Sequence, residues 1–478
     1  MKIPAQGRTS GEIIEALEQY RERDVPWRGG RAFGYVFDAK HDALDLGKRA
    51  YLMFLSENGL DPTSFPSLLR LENEVVRMCA THVHGDEHVV GNFTSGGTES
   101  IMLAVKAARD RARALRPEIT RPQLLVPVTA HAAFHKAAHY LDVELVAFQV
   151  DPTTFRADVA AARAAITDRT IMLVGSAPSY AHGVIDPIEA LAALAIEHDL
   201  WMHVDGCMGG LLLPYLERLG EAVPRFDFRV PGVSSLSMDL HKYGYCPKGA
   251  SVVLYRDRSL RKHQLYACSE WTGYTIVNAT IQSSKSGGPL AGAWATMMRM
   301  GDEGYLRIAK EMRDATRRYA EGIDAIPGLR VMAEPDMTLV AFTSDEVPIF
   351  VIADLMKKRG WYVQPQLGFA GHRENLHLSI THANVPHVDA FLADLRACVD
   401  EARAMPTRDD AMVAGIAQAA ASIDPATLDE ATFAQLLAAA GTSVGVPEES
   451  ASINTILQAL PRPLTKAILI HYVNQLFA

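Results

Sequence analysis

Two lysines and a histidine stand between two apolar runs in the stretch SSLSMDLHKYGYCPKGASVVLY, residues 234–255. Lys242 directly follows His241, and Lys248 comes six residues later. An amine in an apolar setting has a lowered pKa, because desolvation disfavours the ammonium form. The neutral amine is then available to attack an aldehyde. The stretch therefore predicts covalent amine chemistry rather than plain sheet core.

A glycine-rich turn, NFTSGGTES at residues 92–100, precedes an alanine-rich amphipathic helix. Gly97 permits a tight turn and a close approach of the backbone, and Thr98 adds a hydroxyl group. The first N–H groups of a helix and its positive dipole end point at such a turn, which predicts a phosphate site. A glycine turn that binds nothing is the alternative interpretation. The lysine of a Walker loop is missing, so a nucleotide P-loop is excluded.

Two further polar residues follow predicted strands. His131 comes after the strand QLLVPVT and before a helix, where an isolated histidine is more often a cap or a core residue. Asp205 ends the apolar strand LWMHVDG, with His203 on the same face of that strand. Active sites of open α/β sheets collect at such strand ends. A buried aspartate is costly unless a cation satisfies it, which favours a ligand with positive charge.

These four features together meet the needs of one cofactor. A phosphate site, a flat side chain to cover a ring, a carboxylate for a pyridinium nitrogen and an amine for an imine describe pyridoxal 5'-phosphate. They occur along the chain in the order glycine turn, His131, Asp205 and Lys242. The sequence therefore predicts an enzyme that uses pyridoxal phosphate.

The chain resembles the fold-type-I pyridoxal-phosphate enzymes of the group II decarboxylase family and, among them, the sphingosine-1-phosphate lyases. The resemblance covers residues 30–400 and is strongest in TSGGTESI, AHAAFHKA, HVDGCMGG and DLHKYGYCPKGAS. The first and third of these motifs occur in similar form in the decarboxylases. The run Tyr-Gly-Tyr-x-Pro-Lys-Gly after Lys242 is typical of the lyases and favours them.

The resemblance implies a role for each residue of the cofactor site. Lys242 would bind the cofactor aldehyde, Asp205 would hold the pyridine nitrogen protonated, and His131 would stack on the ring. The residues implied for the cofactor phosphate are Gly97, Thr98 and His241.

Four other residues are implied to bind substrate or to complete the site. Lys248 would meet the substrate phosphate. Tyr180, in APSYAHGVIDPI, would be a catalytic tyrosine, and Tyr35, in AFGYVFD, aligns with a substrate-site tyrosine after a one-residue shift. Ser284, in TIQSSKSGG, would contact the cofactor phosphate of a partner subunit. The resemblance therefore implies a homodimer with shared active sites.

Two departures from the lyase pattern affect the substrate site. Asp61, in NGLDPTSFP, stands where the lyases have a histidine that helps to hold the substrate phosphate. A carboxylate there would repel the phosphate unless it is protonated or turned away. His82 and His84 could replace that histidine, although loop-surface histidines are the favoured interpretation. Lys285 stands where the lyases have an arginine, which keeps the charge but loses the bidentate geometry.

The expected reaction is a retro-aldol cleavage of a phosphorylated sphingoid base to phosphoethanolamine and a long-chain aldehyde. The alternative on the same scaffold is a pyridoxal-phosphate-dependent amino-acid decarboxylase, which would need a cation for a carboxylate and would have no use for Lys248. A catalytically inactive scaffold that only binds a partner is the third interpretation. No metal site is expected.

The elements that must position these residues alternate between short apolar strands and helices. QLLVPVT, VELVAFQV, TIMLVGSAP and LWMHVDG are predicted strands, which implies βαβ crossovers and a mostly parallel sheet flanked by helices. We therefore expect an α/β fold with a smaller α+β C-terminal domain. The expected divisions are an N-terminal arm at 1–59, a large cofactor-binding domain at 60–300, the small domain at 301–404 and a helical tail at 405–478.

Composition narrows the class of protein further. The 478 residues are 48% hydrophobic and 22% charged, which is typical of globular proteins, and the net charge of -9 gives no reason to expect nucleic-acid binding. Five cysteines without C-x-x-C spacing argue against a zinc site or a disulfide framework. Neither a signal peptide nor an apolar run of about 18 residues is found. We therefore expect no membrane span and a cytoplasmic location.

Overall fold

The computed structural model describes residues 2–405, 415, 418, 420, 423–439, 445 and 449–477. Its strands, in chain order, are β1 (Val90–Thr94), β2 (Gln123–Pro127), β3 (Glu144–Phe148), β4 (Thr170–Ser176), β5 (Trp201–Asp205), β6 (Val233–Met238), β7 (Ser251–Tyr255), β8 (Tyr266–Cys268), β9 (Ile276–Asn278), β10 (Leu329–Val331), β11 (Leu339–Ser344), β12 (Gln364–Gln366) and β13 (Asn375–Ser379).

The helices connect these strands and flank them at both ends of the chain. They are α1 (Ser10–Tyr20), α2 (Ala43–Met53), α3 (Pro66–His82), α4 (Gly97–Leu115), α5 (Ala132–Leu141), α6 (Val159–Ala165), α7 (Ile188–Glu197), α8 (Leu213–Arg218), α9 (Arg258–Arg261), α10 (Gly288–Asp324), α11 (Ile349–Lys358), α12 (Val388–Ala404), α13 (Glu430–Ala439), α14 (Ala451–Ala459) and α15 (Arg462–Leu476). Part of the predicted tail, residues 406–414, lies outside the described residues.

The large sheet has seven strands in the order β1-β7-β6-β5-β4-β2-β3. Strands β2 to β6 run parallel to one another, whereas β7 is antiparallel to both β6 and β1. The predicted α/β fold with a mostly parallel sheet is confirmed. Because parallel strands point their carboxyl ends to one edge, the residues that follow β4, β5 and β6 come together there.

Helices cover both faces of this sheet, because alternate residues of each strand point to opposite sides. On one side Leu124 and Val174 belong to a core that includes the alanine-rich face of α4 and the buried residues of α5. On the other side Leu173 and Val204 belong to a core formed with α3, α7, α8 and α10. Strands buried on both faces explain why their sequences are continuously apolar.

The smaller C-terminal domain contains an antiparallel sheet in the order β10-β11-β13-β12, with α11 and α12 packed in its core. Phe33 of the N-terminal segment completes that core, with its ring centroid 5.5 Å from Tyr319 and 4.9 Å from Phe391. Helix α10 links the two parts of the molecule and has non-helical backbone at Gly301, where φ is 61°. The exact domain limits remain predictions.

The tail helices form their own small apolar core and contact the small domain. Asp354 of α11 accepts hydrogen bonds from the backbone N–H groups of Ser450 and Ala451, at the start of α14. Gln458 accepts a hydrogen bond of 2.7 Å from the N–H of Gly368. Within the described part of the chain, no helix combines the length and the hydropathy that a membrane crossing requires.

Candidate active site

A cavity of about 370 Å³ lies at the carboxyl edge of the large sheet. That volume is in the range of small-molecule sites, about 300–1,000 Å³. The predicted site residues that line it come from five separate strand ends and helix starts: Gly97, Thr98, His131, Tyr180, Asp205, His241 and Lys242. The fold therefore brings together the four features that the sequence separates by up to 145 positions.

The glycine turn joins the end of β1 at Thr94 to the start of α4 at Gly97. A Cβ atom at Gly97 would lie 2.7 Å from Asp239 Oδ2 and 2.8 Å from Cys207 Sγ, so no other residue fits without displacing them. The first N–H groups of α4 have no intrahelical partner and are available to an anion. The turn is therefore built for close contact with a phosphate.

His131 combines two of the interpretations that the sequence leaves open. Its Nδ1 accepts a hydrogen bond of 3.1 Å from the N–H of Ala133 and so caps α5. The same side chain is exposed and lines the cavity. The cap fixes the edge of the imidazole, which leaves the ring face available to a flat ligand.

Asp205 ends β5 and is only 6% exposed. Its Oδ1 accepts a hydrogen bond of 3.0 Å from the N–H of Cys207. His203, two residues earlier, is bound through Nδ1 to Ser235 Oγ at 2.8 Å, and burial lowers its pKa to about 4, so it is neutral. Because His203 is neutral, it does not neutralise the carboxyl of Asp205, which is available to a cationic atom in the cavity.

Lys242 forms an ion pair with a residue that sequence reasoning missed. Its Nζ lies 2.9 Å from Oδ2 of Asp239, which follows β6 and is buried. Burial acts to lower the pKa of Lys242, but the charge and hydrogen bond of Asp239, together with the smaller effects of Cys207 and Asp205, outweigh it and the pKa is raised. The expectation of a lowered pKa is therefore wrong for Lys242. A carboxylate three residues before the lysine, in DLHK, is the sequence signal that could have indicated the pair.

His241 packs beside the same carboxylate. Its Nε2 lies 3.8 Å from Asp239 Oδ2, and its Nδ1 accepts a hydrogen bond of 3.2 Å from the N–H of Ala250. Burial lowers the pKa of His241. Asp239 Oδ1 is buried and has no hydrogen-bond partner among the residues that the structure describes. A bound donor or cation in the cavity would satisfy that oxygen.

Lys248 lies in a neighbouring cavity of about 330 Å³. Its Nζ is 5.3 Å from the centroid of the Phe37 ring, and no carboxylate of the described residues is within 4 Å of it. Burial and the charge of Lys242 lower the pKa of Lys248 to about 8. The predicted lowering of a lysine pKa therefore applies to Lys248, which has the features of an anion site.

The second cavity also contains the residues at which the chain departs from the lyase pattern. Lys285 lines it, with Nζ 3.9 Å from Glu72 Oε2. Asp61 lines it too, but its carboxylate accepts hydrogen bonds from its own loop, at 2.7 Å from Thr63 Oγ1 and 3.2 Å from Ser64 Oγ. These bonds lower the pKa of Asp61, which keeps it ionised and turned toward the loop.

The two histidines that could replace the missing lyase histidine are bound elsewhere. His82 contacts the carbonyl oxygen of Leu211 at 2.7 Å, and His84 contacts Asp227 Oδ2 at 2.8 Å. Neither histidine lines the cavities around Lys242 and Lys248. In the described residues no group of histidine, cysteine and carboxylate side chains is arranged to hold a metal ion.

Tyr180 and Tyr35 occupy different positions relative to the cavity. Tyr180 lines it and donates a hydrogen bond of 2.5 Å to Oε1 of Gln364 in β12, a residue that sequence reasoning missed. Tyr35 lies outside both cavities, 64% exposed, with its ring 5.6 Å from that of Tyr362. Its φ of 62° is strained for a tyrosine, a condition that clusters at functional sites.

Ser284 is also outside the cofactor cavity of its own subunit. It is exposed, and its Oγ accepts a hydrogen bond of 3.4 Å from Nδ2 of Asn58. The segment around it is held against the loop at 55–60, where the N–H of Gly59 donates to the carbonyl of Lys285 at 2.8 Å. The single chain therefore brings together all of the predicted cofactor residues except Ser284.

The cavity fits pyridoxal phosphate. Its donors for a phosphate lie at the glycine turn, its amine is Lys242, and the buried carboxyl group of Asp205 matches the positive charge of a pyridinium nitrogen. The imidazole of His131 lines the same cavity. Each chemical part of the cofactor therefore has a counterpart in one cavity.

Comparison with known proteins agrees with this geometry. A family model described as the pyridoxal-dependent decarboxylase conserved domain matches residues 50–345, and a model for a C-terminal domain of pyridoxal-dependent enzymes matches residues 414–475. The sphingosine-1-phosphate lyase of Arabidopsis thaliana is 44% identical over 404 residues, 83% of this chain and 73% of that protein. That of Rattus norvegicus is 37% identical over 87% of this chain and 73% of its own.

Solved structures give the same result. A sphingosine-1-phosphate lyase of Burkholderia pseudomallei superposes with a TM-score of 0.80 at 38% identity, over 84% of this chain and 93% of that one. A glutamate decarboxylase of Lactobacillus brevis, 21% identical, shares the fold with a TM-score of 0.75 over 85% of this chain and 96% of its own. The predicted cofactor, pyridoxal phosphate, is confirmed. The chain belongs to the pyridoxal-dependent decarboxylase family and, within it, to the sphingosine-1-phosphate lyases.

Proposed function

We propose that the protein is a carbon–carbon lyase that cleaves a phosphorylated sphingoid base to phosphoethanolamine and a long-chain aldehyde. The observation that carries the substrate class is Lys248, an amine that lines the second cavity and has no carboxylate partner within 4 Å among the described residues. An ammonium group that lines a cavity and is not paired with a carboxylate is free to bind an anion there. A phosphate on the substrate is such an anion, and a second lysine, Lys285, lines the same cavity.

The proposed cofactor site uses the residues of the first cavity. Lys242 binds the cofactor aldehyde, Asp205 holds the pyridine nitrogen protonated, and His131 covers the ring. The phosphate is bound by Gly97, Thr98 and His241. When bound, pyridoxal phosphate supplies an electron-withdrawing ring that accepts the electron pair of the broken carbon–carbon bond.

The chain's own groups then orient the substrate and move protons. Burial raises the pKa of Tyr180, so its phenol stays neutral, and its hydrogen is donated to Gln364. Its oxygen therefore serves to accept a hydrogen bond from the substrate hydroxyl. Lys242 Nζ, whose pKa is raised by Asp239, is the group suited to deliver a proton to the carbon that retains the amine.

Product analysis tests this proposal against the decarboxylase alternative. The holoenzyme is incubated with a phosphorylated sphingoid base, and aldehyde and phosphoethanolamine are measured by mass spectrometry. Parallel reactions with acidic and aromatic amino acids measure carbon dioxide release. We expect aldehyde and phosphoethanolamine in equal amounts, and loss of both in Asp205→Ala. Carbon dioxide release without aldehyde formation would contradict the proposal and favour a decarboxylase.

We also propose a homodimer in which each Ser284 completes the cofactor site of the partner subunit. Supporting this are the position of Ser284 outside its own cavity and several exposed apolar residues in the preceding segment: Tyr266, Trp271, Tyr274, Val277 and Ile281. A mixture of Lys242→Ala and Ser284→Ala subunits should regain activity, since one hybrid site then carries neither change. Hybrid dimers that form without regaining activity would contradict shared sites.

A cytoplasmic location is part of the same proposal. All five cysteines are unpaired, and four of them are buried: Cys79, Cys207, Cys246 and Cys398. Free thiols in this number are typical of proteins in a reducing compartment. Cell fractionation with detection of the protein tests the location, and its recovery in an oxidising compartment would contradict it.

A further inference from the structure

Glu99 is a buried carboxyl group that lies between the two cavities. It is the third residue of α4 and is 7% exposed. Its Oε2 accepts a hydrogen bond of 2.6 Å from the N–H of Ser95, and its Oε1 accepts one of 2.8 Å from the N–H of Ile281. Ser95 and Glu99 both line the cofactor cavity and the cavity of Lys248. The side chain is therefore part of the wall that separates the two.

The two hydrogen bonds join segments that are far apart in sequence. Ser95 begins the glycine turn that leads to Gly97. Ile281 begins the segment that carries Ser284 and Lys285, and 182 positions separate it from Glu99. One carboxyl group therefore connects the proposed cofactor phosphate site to the segment proposed to complete a second site.

Helix capping alone does not account for this arrangement. A glutamate at the third helical position commonly bonds back to the backbone at the start of its own helix. The bond to Ser95 is of that kind, but the bond to Ile281 adds nothing to the capping of α4. Removing either oxygen would leave one of these N–H groups without its partner in the protein, which would loosen the segment that contains it.

We propose that Glu99 is a positioning residue that holds the glycine turn and the 280–287 segment in one fixed relation, and thereby sets the affinity of the phosphate site for the cofactor. The inference rests on the proposed assignment of that turn as the cofactor phosphate site. Glu99 acts through the backbone of Ser95 and Ile281 and is not itself in the reaction.

The test compares Glu99→Gln with Glu72→Gln as a matched control. Glutamine keeps the shape of the side chain but offers one acceptor oxygen, so only one of the two N–H groups can be satisfied. Glu72 lines the same second cavity, but it accepts its hydrogen bonds from Phe93 N and Asn92 Nδ2 and does not touch Ser95 or Ile281. Two quantities are measured: the dissociation constant of pyridoxal phosphate, and hydrogen exchange of residues 95–97 and 279–287 in the cofactor-free protein.

We expect the dissociation constant to rise about tenfold in Glu99→Gln, the effect of about one lost hydrogen bond to a charged group, and to change less than about twofold in Glu72→Gln. Exchange of residues 279–287, or of the turn at 95–97, should accelerate in the first variant only. Unchanged affinity and exchange in Glu99→Gln would overturn the inference. Wild-type protein that binds no pyridoxal phosphate would instead overturn the proposed function, so the two failures are distinguishable.

Discussion

The Nζ atom of Lys242 lies 2.9 Å from Oδ2 of Asp239, and the carboxylate is buried. The pair is the main reason why a mostly buried amine at the edge of an apolar sheet keeps a raised pKa, since Asp239 is the largest of the groups that together outweigh the effect of burial. An ammonium must lose its proton before it can attack an aldehyde. Asp239 therefore sets the pH at which the cofactor attaches.

Replacing Asp239 with asparagine should move cofactor attachment to lower pH. Without the carboxylate, the effect of burial on Lys242 is less opposed and its pKa falls. Each unit of that fall increases the fraction of neutral amine about tenfold. The rate at which the absorbance of bound cofactor appears, measured against pH, checks this. Asp239→Glu keeps the charge and serves as the control. If the pH midpoint of cofactor attachment in Asp239→Asn were the same as in the wild type, this would contradict the role of the pair.

Replacing Lys248 with methionine should weaken the binding of the phosphorylated substrate. We expect KM to rise about 30- to 100-fold, the effect of about 2–3 kcal/mol for a charge-assisted contact with phosphate. Because the pKa of Lys248 is about 8, its ammonium form is lost as the pH rises through that value. Wild-type kcat/KM should therefore fall above pH 8. In Lys248→Met, kcat/KM should not show this fall.

An unphosphorylated sphingoid base provides the control for Lys248. It lacks the anion, so its binding should be similar in the wild type and in Lys248→Met. Lys262→Met, a change at an exposed lysine, should leave the KM for both substrates unchanged. An equal rise in KM for the phosphorylated and the unphosphorylated sphingoid base would show that Lys248 supports the site without recognising phosphate.

Asp61 should be tolerated in spite of its charge. Its oxygens are bound by Thr63 and Ser64, and exposed charges are strongly screened by solvent. We expect Asp61→Asn to keep the turn and to change KM by less than about twofold. Titration of initial rates with substrate at low and high salt measures this. A large fall in KM at low salt would mean that the carboxylate does repel the substrate phosphate.

Three buried histidines should make the protein sensitive to acid. Burial lowers the pKa of His182 and His377 to about 3 and that of His203 to about 4. These histidines are neutral in the folded protein. In the unfolded chain they take up protons below their ordinary pKa of about 6.5. Stability is therefore complete above pH 6.5 and is lost as the pH falls toward 4, by about 1.4 kcal/mol per pH unit for each histidine.

Urea unfolding of the cofactor-free protein at pH 7 and pH 5.5 measures this loss. His182→Asn removes one titrating group from the set and should reduce the difference between the two pH values by about one third. His198→Asn, at a partly exposed position, is the control and should leave the difference unchanged. The same acid sensitivity in His182→Asn as in the wild type would contradict the assignment.

Much of the fold and of the cofactor site could be predicted because the signals are local. Each apolar strand is a short run, and Gly97, Asp205 and Lys242 each lie beside the end of a strand or the start of a helix. The parallel arrangement follows from helices between strands. An apolar run does not encode the direction of its strand. The antiparallel orientation of β7 could therefore not be predicted.

The contacts that sequence reasoning missed are mostly long-range. Gln364 binds Tyr180 across 184 positions, and Ile281 binds Glu99 across 182. No local pattern indicates such pairs, because they depend on how the small domain and the loops pack against the sheet. The pair of Asp239 and Lys242 is local, but its effect on the pKa depends on burial that only the packed structure defines.

The most direct test of the account is to reduce the holoenzyme with borohydride and to map the modified peptide by mass spectrometry. The central claim is that the cofactor is attached at Lys242, in the cavity that also contains Asp205. The account predicts a pyridoxyl group on Lys242 in the wild type and in Lys248→Met, and none in Lys242→Ala. A pyridoxyl group on Lys248, or on any other lysine of the wild-type enzyme, would contradict it.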